Sequence, residues 1–301
     1  MSKKRVLITG CNSLLGKYIS RALKNDFELF GTFHKAPLDK TVFISATHQF
    51  HLDITQKADT AYLISYIRPD VVIHLAALSS IDYCEIHKDL AHEINIQGTL
   101  HLISALQNKK TRFIFSSSNA VFSGTHPPYR ERDIPHPLNF YGTTKLRAEI
   151  AVKKSRLPST IIRFTTIYGW PPLGARANDL NYYLEKLKEN QRLHLVNDLF
   201  FNPISAFEAA NTVKKVLTDQ KRGIWHVAGK DQVSRYTLVK MIAQVFGIQN
   251  PQLVPVSHTY FSNSAKRPLR AILSIHKLER TLKFSPLSIT NALSLFKRHS
   301  R

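Results

Sequence analysis

The 301-residue chain is long enough for one large domain with an appended lobe, and 43% apolar and 21% charged residues are ordinary for a globular protein. A net charge of +21, from 42 Lys and Arg against 21 Asp and Glu, is not ordinary. The basic residues are scattered in short groups (Lys3-Lys4-Arg5, Lys109-Lys110, Lys153-Lys154-Ser155-Arg156, Lys214-Lys215, Lys297-Arg298) without interleaved aromatics, which argues against a dedicated nucleic-acid face. Two distant cysteines, Cys11 and Cys84, exclude a disulfide framework and a cysteine zinc site, and fit a reducing cytoplasm. The N-terminal stretch lacks the apolar core of a signal peptide, and "VVIHLAAL" at 71–78 is too short to span a bilayer. His48 and His51 lie in an extended stretch with nothing to complete a ligand set, so no metal is expected.

In chain order, "RVLITG" (5–10) reads as a buried strand, and the spacing of Leu14, Leu15, Ile19 and Leu23 predicts a helix over 14–23. "FELFGTF" (27–33) is a second strand, 57–67 a helix and "VVIHLAA" (71–77) another strand. "HEINIQGTLHLISALQ" (92–107) reads as a helix and "TRFIFSSS" (111–118) as a strand with an abrupt polar end. "YGTTKLRAEIAVKK" (141–154) then reads as a helix and "STIIRFTTIYG" (159–169) as a strand. Near-continuous apolar strands alternating with helices indicate a doubly wound α/β domain with a parallel sheet covered on both faces. Beyond Gly169 come a loop, helices over 179–190 and 202–219, a strand over 223–229 and a helix over 235–248. The expected organisation is a nucleotide-binding domain over 1–169, rejoined by 203–219. A smaller, interleaved α/β substrate lobe is expected from 170–202 and 220–301.

"TGCNSLLG" (9–16) lies where the first strand becomes a helix. Gly10 allows a tight turn and Gly16 close helix–sheet packing, so the amides around Asn12, Ser13, Leu14 and Leu15 can receive a pyrophosphate. Ser13 stands where a middle glycine is usual, and its hydroxyl can donate to a phosphate oxygen. The acidic residue that would bind a ribose 2′-hydroxyl, about twenty positions on, is absent. His34 and Lys35 stand there instead and suit the 2′-phosphate of NADP rather than NAD, or are simply exposed loop residues. Asp53 and Ile54 follow a strand end and suit the amino group and face of an adenine. Ala76, Ala77 and Leu78 end another strand in small residues that let a cofactor lie flat, or serve helix–sheet packing alone.

The strand ending in Ser118 delivers a hydroxyl to the same side of the sheet. Tyr141 and Lys145 follow on one helical face, four residues apart. Ketone reduction needs a hydride on carbon and a proton on oxygen. A tyrosine supplies the proton if a neighbouring ammonium lowers its pKa from about 10, and Ser118 can hold the substrate oxygen. Trp170, beyond the last strand, can cover a sugar ring or fill a lobe interface, and Asn197-Asp198 reads as a structural polar turn.

With "HLAALSSIDYCE", "SSNAVFSG", "PPYRERDIPHPLNFYGTTKLRAE" and "RFTTIYG", the chain resembles the extended short-chain dehydrogenase/reductases. Among them it is most similar to the dTDP-4-dehydrorhamnose reductase family, which includes the methionine adenosyltransferase regulatory beta subunit. The resemblance spans essentially the whole chain. It implies a Rossmann fold that prefers NADP over NAD, with Ser118, Tyr141 and Lys145 in the catalytic places. It further implies a nucleotide-sugar pocket between the lobes, with Ser118, Asn119, Trp170 and Arg267 near it. NADPH-dependent reduction of a 4-keto-deoxysugar nucleotide is the activity implied. A non-catalytic NADP-binding subunit docked on a partner enzyme is the alternative, and a homodimer is open. Asn119-Ala120 departs from the family's Asp-Tyr at the end of the serine strand.

Overall fold

The computed structural model describes residues 3–107, 110–261 and 265–298, so Lys109 and both chain ends lie outside the described residues. Seven strands form the central sheet: β1 (Arg5–Thr9), β2 (Glu28–Phe33), β3 (Gln49–His51), β4 (Val71–His74), β5 (Arg112–Ser118), β6 (Ser159–Phe164) and β7 (Gly223–Val227). They lie in the order β7-β6-β5-β4-β1-β2-β3 and all pair in parallel. The order reverses between β1 and β4, which opens a crevice at the carboxyl ends of those strands.

Side-chain alternation explains why both faces are covered. Val6 and Ile8 of β1, with Val71 and Ile73 of β4 and Ile114 of β5, enter one core. Leu7, Val72, Phe113 and Phe115 enter the other. The first core is closed by helices α1 (Leu14–Leu23) and α8 (Ala206–Thr218), through Ile19, Leu23, Ala209, Val213 and Val216. The second is closed by α2 (Lys57–Ile67), α5 (Gly98–Leu106) and α6 (Phe140–Lys154). Two short helices, α3 (Ile81–Ile86) and α4 (Lys88–His92), lie between β4 and α5.

The second lobe holds α7 (Asp179–Lys188), α9 (Arg235–Phe246), α10 (His276–Leu282) and α11 (Ile289–Arg298). Phe200–Phe201 lies between Val233–Ser234 and Arg270–Ala271 in a small sheet, and Leu193–Val196 pairs with Leu253–Val256. Leu184, Val239, Ile242 and Leu293 of this lobe belong to the same continuous core as α1 and α8. Apolar contact therefore fuses the two lobes.

Several boundaries differ from expectation for physical reasons. Gly223–Val227, expected in the substrate lobe, is the edge strand of the central sheet, with Ile224 opposite Ile161 and Trp225 and Val227 buried. The expected strand over 71–77 ends at His74, because residues 75–78 turn away to line the crevice. The expected helix over 92–107 is interrupted by a wide π turn at Glu93–Gln97. The expected strand over 159–169 breaks after Phe164, and Ile167–Tyr168 pairs instead with Ile204–Ser205. That pairing uses the first residues of the expected 202–219 helix, which begins at Ala206 under a Ser205 cap. Among the described residues no helix is long and apolar enough to cross a membrane.

Candidate active site

At the crevice, Gly10 adopts φ +65°, and a Cβ there would lie 2.7 Å from the Ala76 nitrogen. A Cβ on Gly16 would lie 2.3 Å from the Cys11 carbonyl oxygen, so both glycines are required by close backbone approach. Ser13 caps α1, its Oγ accepting from the Gly16 amide at 3.1 Å. Asn12 has a different task. Its side-chain amide contacts the Pro37 carbonyl and the Asp39 amide, fastening the segment after β2 to the glycine loop. Leu14 is half-buried and Leu15 buried in the α1 core, so these two can offer a phosphate only backbone.

His34 and Lys35 are exposed at the end of β2, and His34 Nε2 lies 3.7 Å from Asp53 Oδ2. Partial burial pushes the Asp53 carboxyl up, but Thr55, which donates to its Oδ1 from both amide and hydroxyl, and the nearby His34 and His51 hold it below the usual range. Ile54, expected on the adenine face, is instead 5% exposed and packed against Gly98 of α5, because its side chain completes the core under that helix. Ala76, Ala77 and Leu78 line the crevice half-buried. His48 stacks on Phe30 at 4.2 Å and faces the Leu29 carbonyl.

Ser118 ends β5, and Asn139 caps α6 by accepting from the Gly142 amide at 2.9 Å, which starts the helix so that Tyr141 meets Ser118. Burial pushes the Tyr141 phenol up to about 12; a hydrogen bond with Ser118 and the charge of Arg176 act against it. The expected depression of this pKa by Lys145 is therefore not what the structure displays. Here desolvation outweighs every nearby charge. Lys145, one turn on and 4% exposed, places its ammonium 4.5 Å from the centre of the Phe115 ring. Burial lowers its pKa to about 8, with Glu149 and Cys84 opposing the shift.

Several residues that spacing did not single out complete the site. Asn95, in the π turn, accepts from the Leu78 amide at 2.8 Å and donates to the Leu78 carbonyl and to Thr144 Oγ1, each at 3.0 Å. It thereby ties the crevice wall to the helical turn between Tyr141 and Lys145. His74, beneath Lys145, is held neutral with a pKa of about 3 by burial and by the Lys145 charge, and both its ring nitrogens face threonines, Thr9 and Thr99. Gly142 has no room for a Cβ, which would lie 2.1 Å from the Ala120 carbonyl oxygen. The glycine directly after Tyr141 was the available signal for this contact.

The second lobe reaches the site differently from expectation. Asn119 donates from Nδ2 to the Ala271 carbonyl at 3.0 Å and to Thr165 at 3.4 Å, while its Oδ1 accepts from Ser118 at 3.3 Å. It links the serine to the second lobe. Arg267 is paired with Asp82 at 2.6 Å and with its own Ala265 carbonyl, so it bridges to α3. Trp170 is an interface residue rather than a sugar cover. Its Nε1 donates to the Phe296 carbonyl at 3.1 Å, and its ring meets Phe246 and Phe296 edge-on. Asp198 accepts from Ser257 and from the His258 amide, as a structural turn does.

The family model described as the RmlD substrate binding domain matches residues 4–300. The methionine adenosyltransferase 2 subunit beta of Bos taurus is 29% identical over 297 residues, covering 92% of this chain and 82% of that protein. The probable low-salt glycan biosynthesis reductase Agl14 of Haloferax volcanii is 27% identical and covers 95% of both chains. Among solved structures, the dTDP-4-dehydrorhamnose reductase of Bacillus anthracis, in complex with NADP, matches with a TM-score of 0.87 and 26% identity. That match covers 99% of this chain and 100% of the other.

Proposed function

The chain belongs to the RmlD substrate binding domain family, and on that premise we propose that it reduces a 4-keto-deoxysugar nucleotide with NADPH in the cytoplasm. dTDP-4-dehydrorhamnose is the substrate to test first, given the Bacillus anthracis neighbour. One observation carries the reading: Ser118 ends β5 at the crevice, and the Gly142–Ala120 contact seats the start of α6 on the turn that follows it, with Tyr141 and Lys145 one helical turn apart on α6.

The crevice suits NADP. Gly10 leaves its backbone bare, the first turn of α1 carries no acidic residue, and His34 and Lys35 extend from β2 where a 2′-phosphate would lie. The Gly10–Gly16 loop would hold the diphosphate, Ala76–Leu78 the flat face and Lys145 the nicotinamide ribose. NADPH, when bound, supplies the hydride for the keto carbon. Tyr141, which keeps its proton throughout the neutral range, gives it to the substrate oxygen as charge develops there. An alcohol is a far weaker acid than even this phenol, so the transfer runs downhill. Ser118 donates to the same oxygen, and Lys145 offsets the phenolate left behind.

A second reading has its own support: the subunit-beta relatives and Asn119-Ala120 favour an NADP-binding regulatory subunit with a partner enzyme. The two readings separate when purified protein is given NADPH and dTDP-4-dehydrorhamnose. NADPH consumption that falls by about 10²-fold or more in Tyr141→Phe supports the reductase. NADPH binding without consumption supports the regulatory subunit, and affinity capture for a partner enzyme follows.

A further inference from the structure

We propose that Glu149 is a positioning residue for Lys145: a carboxylate pinned by Arg163 and Ser117 one helical turn away that sets the charge of the ammonium on the Tyr141 face of α6. Its relevance to turnover rests on the reductase reading; the electrostatic coupling does not.

Glu149 and Arg163 are buried, with side chains 0% and 1% exposed. Arg163 grips the carboxylate with both ends of its fork, Nε to Oε1 at 2.9 Å and a terminal nitrogen to Oε2 at 2.7 Å. Ser117 Oγ donates to Oε1 at 2.5 Å. Arg163 is itself held over the Phe122 ring at 4.9 Å, with another nitrogen 3.4 Å from His226 Nε2. The carboxylate therefore cannot swing away.

Strand β5 reads the helix through alternate residues: Phe115 lies under Lys145 and Ser117 donates to Glu149. Glu149 follows Lys145 by four residues, so both lie on one helical face. Every packed element bears on the ammonium. From β4 comes His74, neutral; from α3 comes Cys84, which burial holds protonated with a pKa of about 11; from β5 comes the Phe115 ring; from α6 come Tyr141 above and Glu149 below. Arg163 is paired with Glu149 and Arg176 stands beside Tyr141, while burial, Glu149 and Cys84 are what shift the Lys145 pKa. Of the groups that raise the Lys145 pKa, Glu149 alone carries a negative charge at neutral pH. A purely structural pair is replaceable by apolar groups at little cost. A carboxylate one turn from a buried ammonium has electrostatic work that apolar groups cannot do.

The test follows the Lys145 ammonium directly. Protein labelled with ¹³C-lysine is titrated, and the Lys145 Cε resonance is assigned by its absence in Lys145→Arg. Glu149→Gln alone leaves Arg163 unpaired and can fail to fold, so the double variant Glu149→Gln/Arg163→Met removes both charges together. Glu149→Asp, which withdraws the carboxylate while keeping its charge, is the second variant. The wild-type midpoint is expected near 8. It is expected to fall by about one to three units in the double variant, and by less in Glu149→Asp. Ser117→Ala, which retains the charge, is expected to leave it in place. An unchanged midpoint in the double variant, or in Glu149→Asp where only that variant folds, overturns the proposal. Because the readout needs neither NADPH nor sugar nucleotide, a failed reductase reading leaves this result intact. Where turnover is present, its alkaline limb is expected to move with the Cε midpoint.

Discussion

Lys145 folds at a cost, because its ammonium leaves water for a ring face and a buried carboxylate. Its pKa falls from 10.5 unfolded to about 8 folded. Between those values the unfolded chain binds more protons than the folded one, so this residue makes stability rise with pH through that interval. At neutral pH the buried charge is a liability, and Lys145→Met is predicted to gain about 1–3 kcal/mol in urea unfolding while losing turnover. That gain is predicted to shrink as pH rises from about 8 to 10.5 and to be gone above it; an equal gain at neutral pH and above 10.5 would overturn this assignment. Asn119 supplies a second prediction. A carboxylate there cannot donate to the Ala271 carbonyl, so Asn119→Asp is predicted to cost about 1–3 kcal/mol and to leave activity no higher than wild type. Ser118, Tyr141 and Lys145 were legible because hydroxyl, phenol and ammonium stand at a strand end and at helical spacing. Asn95 and the pairing of Arg163 with Glu149 were not, since each depends on a partner remote in sequence. For Trp170 both readings were open in the sequence, and its bond to the remote Phe296 carbonyl favours the interface one; the Asp82 partner of Arg267 is equally remote in sequence.

Helix α6 is seated on the turn at Asn119–Val121 with no space between Gly142 and the Ala120 carbonyl. Gly142→Ala is therefore predicted to lift the first turn of α6 and separate Tyr141 from Ser118. A displacement of about 1 Å costs about 10²-fold in turnover. NADPH affinity, measured by fluorescence, is predicted to change far less, because the Gly10–Gly16 loop lies on α1. Comparable losses in both would place the damage in general unfolding. At this scale β1, α1, α2, β5 and α6 followed from hydrophobic periodicity to within a residue or two. The π turn at Glu93–Gln97 and the break after Phe164 did not, because apolar spacing does not reveal which carbonyl an amide will choose. Strand β7 was read as a strand but given to the wrong lobe, since nothing local in "GIWHV" states that its partner is β6.

Across the whole molecule, the lobes share an apolar core on one side of the sheet and are joined near the site by polar ties. Asp82 accepts from Arg267 and from the Ala265 amide, and Asn139 Nδ2 donates to the Lys266 carbonyl at 2.9 Å. The Arg267 bond, ahead of partial burial, holds the Asp82 carboxyl below the usual range. Asp82→Asn is predicted to speed amide hydrogen exchange in the described residues 265–271 while the central sheet keeps its protection. Uniform loss of protection would mean that the tie supports the whole fold. Two further bonds, Asn119 to the Ala271 carbonyl and Ser118 to Asn119, lead from the second lobe to the reacting groups. Reduction of a nucleotide-bound ketone by NADPH at those groups, as proposed above, is tested with NADPH carrying deuterium at both C4 positions of the nicotinamide and dTDP-4-dehydrorhamnose, followed by mass spectrometry of the sugar nucleotide. Deuterium is expected on the former keto carbon with the wild-type protein, with a loss of about 10²-fold or more in its rate of appearance with Tyr141→Phe. Unlabelled sugar nucleotide from wild-type protein that binds NADPH, or equal labelling by Tyr141→Phe, would contradict it.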